Sequence, residues 1–146
     1  MHITYKGDYA LKTILDLAMH YGNGPVTIHE LAKRADIPTK FLEQILLDLK
    51  RGGFVQSKRG KVGGYFLSKK PAQIKLGEVI RFIDGPIEPL SCVDKNYKGC
   101  VDVRQCVLRK VWIQVAQATR SIVDGITFEE LAKRAKGLKE GLVYQI

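Results

Sequence analysis

The sequence predicts a mainly α-helical protein with a small β-hairpin wing. Three observations predict it. Phe41, Leu42, Ile45, Leu46 and Leu49 recur at the three/four spacing of a buried helix face, which places a helix from about Thr39 to Arg51. Phe54-Val55 and Tyr65-Phe66-Leu67 then read as two short strands around a glycine-rich basic tip, Ser57 to Gly64. Farther along, Leu108, Val111, Trp112, Val115, Ala118 (or Thr119) and Ile122 form one stripe on a long helix from about Val103 to Val123.

In chain order, Leu11, Ile14, Leu15, Ala18 and Tyr21 mark a first amphipathic helix, roughly Lys6 to Tyr21, ended by Gly22, Gly24 and Pro25. Thr27 and Glu30 have the spacing of a capping box, in which each side chain satisfies a free backbone N–H. A short second helix follows, about Ile28 to Ala35, with Leu31 and Ala32 facing inward. His29 at its start reads as an exposed residue before it reads as a metal ligand. Asp36-Ile37-Pro38 is a turn, and Pro38 suits the start of the third helix. Gly52-Gly53 stops that helix. Two short helices joined by a few residues make a helix-turn-helix, and the hairpin makes it a winged one.

Leu76, Val79, Ile80 and Ile83 suggest another short helix, about Leu76 to Ile83, closed by Asp84-Gly85-Pro86. Leu90 to Cys106 lacks helical periodicity and reads as a loop. The long helix ends at Asp124-Gly125. Thr127 and Glu130 repeat the capping-box spacing and open a last helix through about Lys136. The expected organisation is a DNA-binding unit over residues 1–71, followed by a connecting helix, cysteine loop, long helix and C-terminal helix over residues 72–146.

A chain of 146 residues with 45% apolar residues fits one globular domain, or one with an appendage, rather than a disordered segment. The net charge is +9, and it is uneven. Twelve Lys/Arg stand against six Asp/Glu through Pro71, and twelve against nine after it. The excess therefore lies with the helix and hairpin and points to a polyanion, with double-stranded DNA the leading case. A polar N-terminal end of the third helix would enter the major groove through Thr39, Lys40, Glu43 and Gln44. The basic tip, with Lys58, Arg59 and Lys61, would reach the backbone or the neighbouring minor groove. A solvated basic turn is the plainer reading of the tip, and the helix in front of it favours DNA.

No apolar run approaches the roughly 18 residues of a membrane helix. The N-terminal residues lack a signal-peptide core, so a cytoplasmic location is expected. The stripe on the long helix has little of its own chain to pack on, which predicts a homodimer with two copies crossing. Cys92, Cys100 and Cys106 crowd into one loop, separated by seven and five residues. In a reducing compartment such thiols are more often metal ligands or redox groups than a disulfide. Thiolates select zinc or iron–sulfur clusters, and an incomplete set of three suits a labile cluster more than a permanent zinc. Three ordinary thiols are the plainer alternative. A redox enzyme is not expected. The chain has no CxxC at a helix start, no cofactor-binding glycine motif and no base beside a cysteine.

Ile3-Thr4-Tyr5-Lys6-Gly7-Asp8-Tyr9-Ala10-Leu11 resembles the opening of the Rrf2 family of bacterial transcription regulators. So does Phe41-Leu42-Glu43-Gln44-Ile45-Leu46 on the third helix. Val55 to Gly60 and Gly63-Gly64-Tyr65-Phe66-Leu67 resemble the family's wing and are its most specific match. Leu76 to Ile80 and Ile126 to Leu131 match as well. The resemblance spans nearly the whole chain. It implies a homodimeric winged-helix regulator of promoters, an activator or a repressor.

The cluster-binding branch of the family carries three cysteines on the loop before its dimerisation helix, and Cys92, Cys100 and Cys106 place the chain there. The implied cofactor is an iron–sulfur cluster, 2Fe-2S favoured over 4Fe-4S. Another branch lacks these cysteines and responds to sulfur metabolism through a partner enzyme. A cofactor-free regulator governed by a protein partner or small molecule is therefore the alternative. Two departures bear on the ligand set. The first cysteine gap is longer than is common in the branch. The position three after the last cysteine, a histidine ligand in cluster-assembly regulators, is Arg109, which stays protonated and ligates poorly. Asp8 matches an aspartate that the nitric-oxide-sensing branch offers from the partner subunit. Its other reading is an acid interacting with a helix N-terminus.

Overall fold

The computed structural model describes residues 2–144, with side chains described through Gly141. Helix α1 (Tyr5–Met19) is followed by α2 (Ile28–Ala35) and α3 (Thr39–Arg51). Strands β1 (Val55–Lys58) and β2 (Gly64–Leu67) form the wing, and α4 (Leu76–Asp84), α5 (Val107–Val123) and α6 (Phe128–Tyr144) complete the chain. Short 3₁₀ turns at Pro71–Gln73 and Ser91–Val93 lie before α4 and α5. The mainly α fold with a hairpin wing is the one expected.

Local chemistry explains the boundaries. Thr4 caps α1 by accepting from the Gly7 N–H at 3.0 Å. The Thr27–Glu30 capping box forms in both directions, at 3.2 and 3.0 Å. At α6 the Glu130 N–H donates to the Thr127 hydroxyl at 3.3 Å. The strands run through Ser57, Lys58 and Gly64, which were expected in the tip, because pairing continues to Lys58 opposite Gly64. Three helix bounds differ from expectation by two residues or more. Helix α1 ends at Met19, and Tyr21 lies exposed beyond it. The long helix begins at Val107, because residues 101–105 form turns and Cys106 is its N-cap. Helix α6 runs past Lys136 to Tyr144, through Gly137 and Gly141, whose missing side chains weaken its helical signal.

The wing is a two-stranded antiparallel sheet with Val55 opposite Leu67 and Lys58 opposite Gly64. A bridge from Val26 to Tyr65, with N–H···O distances of 2.9 and 2.7 Å, ties the hairpin to the segment before α2. Gly64 has φ +146, and any Cβ there would strike the Val26 carbonyl, so glycine is required.

The main core joins Ile14, Leu31, Leu42, Leu46, Leu49, Val55 and Leu67 to Ile74, Val79, Phe128 and Ala132. A smaller cluster of Ile80, Ile87 and Val123 lies under α4 and α5. Helix α6 packs on α1, and α4 sits between α1 and α5. The Arg81 guanidinium of α4 grips Asp124, the C-cap of α5, with two parallel bonds of 2.6 and 2.8 Å. Among the described residues no helix is long and apolar enough to cross a membrane.

The Arg81 bond holds the Asp124 carboxyl below the ordinary aspartate value of 3.8, partly opposed by desolvation. A depressed folded-state pKa contributes stability that is present above the unfolded value and is lost as pH falls through the folded one. Asp124→Asn should therefore be less stable than wild type at neutral pH. In acid melts the gap should narrow as pH drops below about 3.8. A gap independent of pH would mean that the charge contributes nothing.

Candidate nucleic-acid interface and cysteine loop

Helix α3 buries Leu42, Ile45, Leu46 and Leu49 and turns Lys40, Glu43 and Gln44 to solvent. Thr39 is half-buried. Phe41, expected on the buried face, is 62% exposed. At roughly 100° per residue it lies about 90° from the centre of the buried stripe, whereas Lys40, Glu43, Gln44 and Leu47 lie farther round. The outward face thus combines a cation, a carboxylate that can accept from cytosine and an amide that can pair with adenine. Phe41 and Leu47, both exposed, add apolar groups that the periodicity alone had assigned inward or left unmarked. Phe41, Tyr5, Tyr9 and Gln44 line an apolar hollow of about 510 Å³ between α1 and α3.

The helix is held by its charged neighbours. Lys6 Nζ lies 2.6 Å from Asp48 Oδ2, joining α1 to α3. That contact leads the causes that lower the Asp48 pKa. Lys50 Nζ donates to the Ser57 hydroxyl at 2.8 Å and fastens the end of α3 to β1. Sequence spacing did not mark Lys50 or Ser57, because the pair meets only once the hairpin folds back. On α2 and α1, Arg34 forks onto Asp16 at 3.1 and 2.8 Å.

The wing projects Lys58, Arg59 and Lys61, all exposed. Among the described residues none of the three is in an ion pair. The tip closes with a Gly63 N–H to Gly60 carbonyl bond of 3.0 Å, with Gly60 at φ +115. A Cβ at Gly63 would collide with the Lys58 carbonyl. Tight backbone and unpaired cations are what a phosphate-directed tip needs.

Cys92 lies in the Ser91–Val93 turn and is half-buried, Cys100 is exposed, and Cys106 caps α5 and is half-buried. All three are free cysteines. Among the described residues, the backbone bonds of the loop close only local turns, such as Tyr97 N–H to Asp94 and Gln105 N–H to Asp102. Arg109 Nε donates to the Cys92 carbonyl at 2.6 Å, so this arginine anchors the loop to α5. Among the described residues no group of three or more His, Cys, Asp or Glu is gathered closely enough to hold a metal ion. The three thiols fit soft-metal chemistry as donors, and of the three Cys100 alone lies in the stretch whose backbone bonds close only local turns. Asp8, in the first turn of α1, has Oδ2 2.7 Å from Lys12 Nζ.

The exposed face of α5 carries Leu108 (63% exposed), Val111, Val115 and Ile122 (69%), with Trp112 half-exposed beside them. Only Ala116 and Val123 of this helix are buried in its own chain.

A family model for Rrf2, described as an iron-dependent transcriptional regulator, matches residues 3–134. The chain belongs to the Rrf2 family. Among Rrf2 relatives, an rrf2-like HTH-type transcriptional regulator of Rhodobacter capsulatus is 41% identical over 136 residues, covering 88% of this chain and 91% of that one. The structure of CymR, the global cysteine regulator of B. subtilis, superposes with a TM-score of 0.77 at 32% identity, over 92% of this chain and 98% of that one. IscR of T. potens gives 0.73 at 31% identity, over 92% and 88%. This Rrf2 chain is thus a winged-helix transcription regulator and not an enzyme.

If the wing meets DNA, Lys58→Ala and Lys61→Ala should each lower the salt dependence of binding by about one phosphate's worth. Arg59→Ala should weaken binding by about 1–3 kcal/mol where it makes a specific groove contact. Titrations at several salt concentrations decide it. Unchanged binding by all three variants at every salt would remove the wing from the DNA.

Proposed function

We propose that this Rrf2 chain is a homodimeric regulator whose promoter binding is controlled by an iron–sulfur cluster on Cys92, Cys100 and Cys106. The observation that carries the reading is one of placement. Three free cysteines lie on a locally bonded loop that joins α4 to a helix whose apolar stripe faces outward. Residues 1–71 would read DNA, with Thr39, Lys40, Glu43 and Gln44 in the major groove and Lys58, Arg59 and Lys61 at the wing. Residues 72–146 would supply the dimer seam and the control.

The three thiolates would hold the cluster, which supplies sensitivity to iron and redox state when bound. Asp8 of the partner subunit is the proposed fourth ligand. Within its own chain Asp8 pairs with Lys12, a contact it would have to exchange. Arg109 holds the Cys92 backbone rather than acting as a ligand. A second reading, a cofactor-free regulator governed by a protein partner or small molecule, is favoured by the full-length similarity to CymR of Bacillus subtilis, 32% over 146 residues.

The visible spectrum of anaerobically purified protein separates the two. Brown protein with sulfide-to-iron charge-transfer bands supports the cluster, and colourless protein supports the second reading. Cys92→Ala, Cys100→Ala and Cys106→Ala should each lose the bands while the far-UV spectrum stays helical, because the core lies elsewhere. Asp8→Ala should change the bands without unfolding, and an unaltered spectrum excludes it as a ligand. Cluster-loaded and cluster-free protein should differ in affinity for at least one promoter at fixed salt.

Val115→Asp tests the dimer. A charge in the seam should cost several kcal/mol and leave monomer or unfolded chain. A folded wild-type monomer in sedimentation at micromolar concentration would falsify the seam.

A further inference from the structure

Helix α4 touches each part that a regulator of this shape must connect. On one face Gly77 and Arg81, one turn apart, receive Asp124 from α5. The carboxylate forks onto Arg81 and lies so close over Gly77 that any Cβ there would strike Asp124 Oδ1. At its C-terminal end Asp84 reaches α1. It accepts from the Thr4 N–H at 3.0 Å and from the Thr4 hydroxyl, and it covers Gly7, where a Cβ would strike Asp84 Oδ2. On a third side Phe82 meets the end of α3 and the start of the wing. A Cβ on Gly52 would lie 2.7 Å from the Phe82 ring, and Phe82 stacks edge-on to Phe54 at 5.6 Å between centroids.

Gly7, Gly52 and Gly77 all have ordinary negative φ, so their backbone does not call for glycine. Close approach of α4 side chains, or of Asp124 onto α4, does. Three such seats on one helix of nine residues leave little freedom to slide. The cysteine loop then leaves α4 directly at Gly85, which has φ +85.

We propose that α4 is the lever through which α5 and the cysteine loop set the position of the DNA-reading helix, with Phe82 and Asp84 as its positioning residues. Phe82 acts on α3 and the wing directly. Asp84 acts through the start of α1, where Lys6 in turn holds Asp48 of α3. The lever rests on the reading that α3 and the wing contact DNA, and it does not require that the loop hold a cluster.

Hydrogen exchange on the full-length protein tests it. Asp124→Asn keeps the side chain's shape and weakens the grip on Arg81. Exchange should quicken by about tenfold, the effect of losing one charged hydrogen bond, at residues 4–8 and 49–55 as well as within α4. Phe82→Leu, at a half-exposed position, should quicken residues 49–55 alone. Asp16→Asn, which breaks the Arg34 fork outside α4, should leave residues 49–55 unchanged. Changes confined to α4 and α5 in Asp124→Asn, or an equal response at residues 49–55 to Asp16→Asn, overturn the lever.

A second measurement separates this from the cluster reading. The effect on DNA affinity of replacing all three cysteines by serine, measured on a duplex selected by wild-type protein, should shrink toward unity in the Phe82→Leu background. An undiminished effect there counts against the lever. If the serine replacements change nothing in wild type, control through the cysteines fails, and the exchange pattern still decides α4.

Discussion

The fork between Arg81 and Asp124 is the constraint on which the arrangement of the second half depends. Helix α5 buries only Ala116 and Val123 in its own chain, so apolar packing alone would leave it poorly aimed. A bidentate pair fixes direction as well as distance, because both oxygens and both nitrogens must align. The raised pKa of Arg81 and the lowered pKa of Asp124 have the same first cause, their mutual hydrogen bonds. Gly77 completes the seat by letting the carboxylate approach the α4 backbone. The turn after α5 is pinned too, since Leu76 N–H donates to the Ile126 carbonyl and Phe128 N–H to that of Ile74. The C-terminus of α5 is therefore held, while its N-terminus hangs on the cysteine loop.

The same asymmetry separates rigid from adjustable parts. The winged-helix part is over-determined. Its capping box, its Val26–Tyr65 bridge, its Lys50–Ser57 link and its glycine-seated turn all constrain one geometry. Regions bonded only to themselves lie at the low-stability end of a fold. The stretch from Asp94 to Gln105 is such a region, whereas the Ser91–Val93 turn before it is held by buried Val93 and by Arg109 of α5 on the Cys92 carbonyl. A ligand or redox event there meets little resistance locally, and the restraint it adds falls on the free end of α5.

Much of this was legible in the sequence where local rules act alone. The caps at Thr27 and Thr127, the stops at Gly52-Gly53 and Asp84-Gly85, and the existence of the hairpin all follow from spacing and turn chemistry. The outward face of α3 was legible at Lys40, Glu43 and Gln44. Phe41 was misassigned because an apolar residue at the edge of a stripe satisfies the three/four pattern without being buried. The start of α5 was set too early because Val103 continues the apolar period, although residues 101–105 spend their backbone bonds in turns. The contacts of α4 were not legible at all. Gly7, Gly52 and Gly77 carry no positive-φ signature, and their carboxylate and ring partners lie far away in sequence.

These unmarked glycines also bear on how a small displacement could travel. A flexible contact absorbs motion, because a long side chain can follow its partner. A carboxylate or ring edge seated on a glycine backbone cannot follow, since closer approach meets main-chain atoms within tenths of an ångström. Moving Asp124 therefore displaces α4 rather than only reorienting Arg81. Moving α4 in turn presses Phe82 against Gly52 and carries Asp84 with the cap of α1. The C-terminal end of α3 is thus gripped from two sides by groups that answer to one short helix, through Lys6 on Asp48 and through Phe82 on Gly52. Where side chains of α3 read a groove, several must be in register at once, so a shift of the whole helix changes affinity without altering any of them.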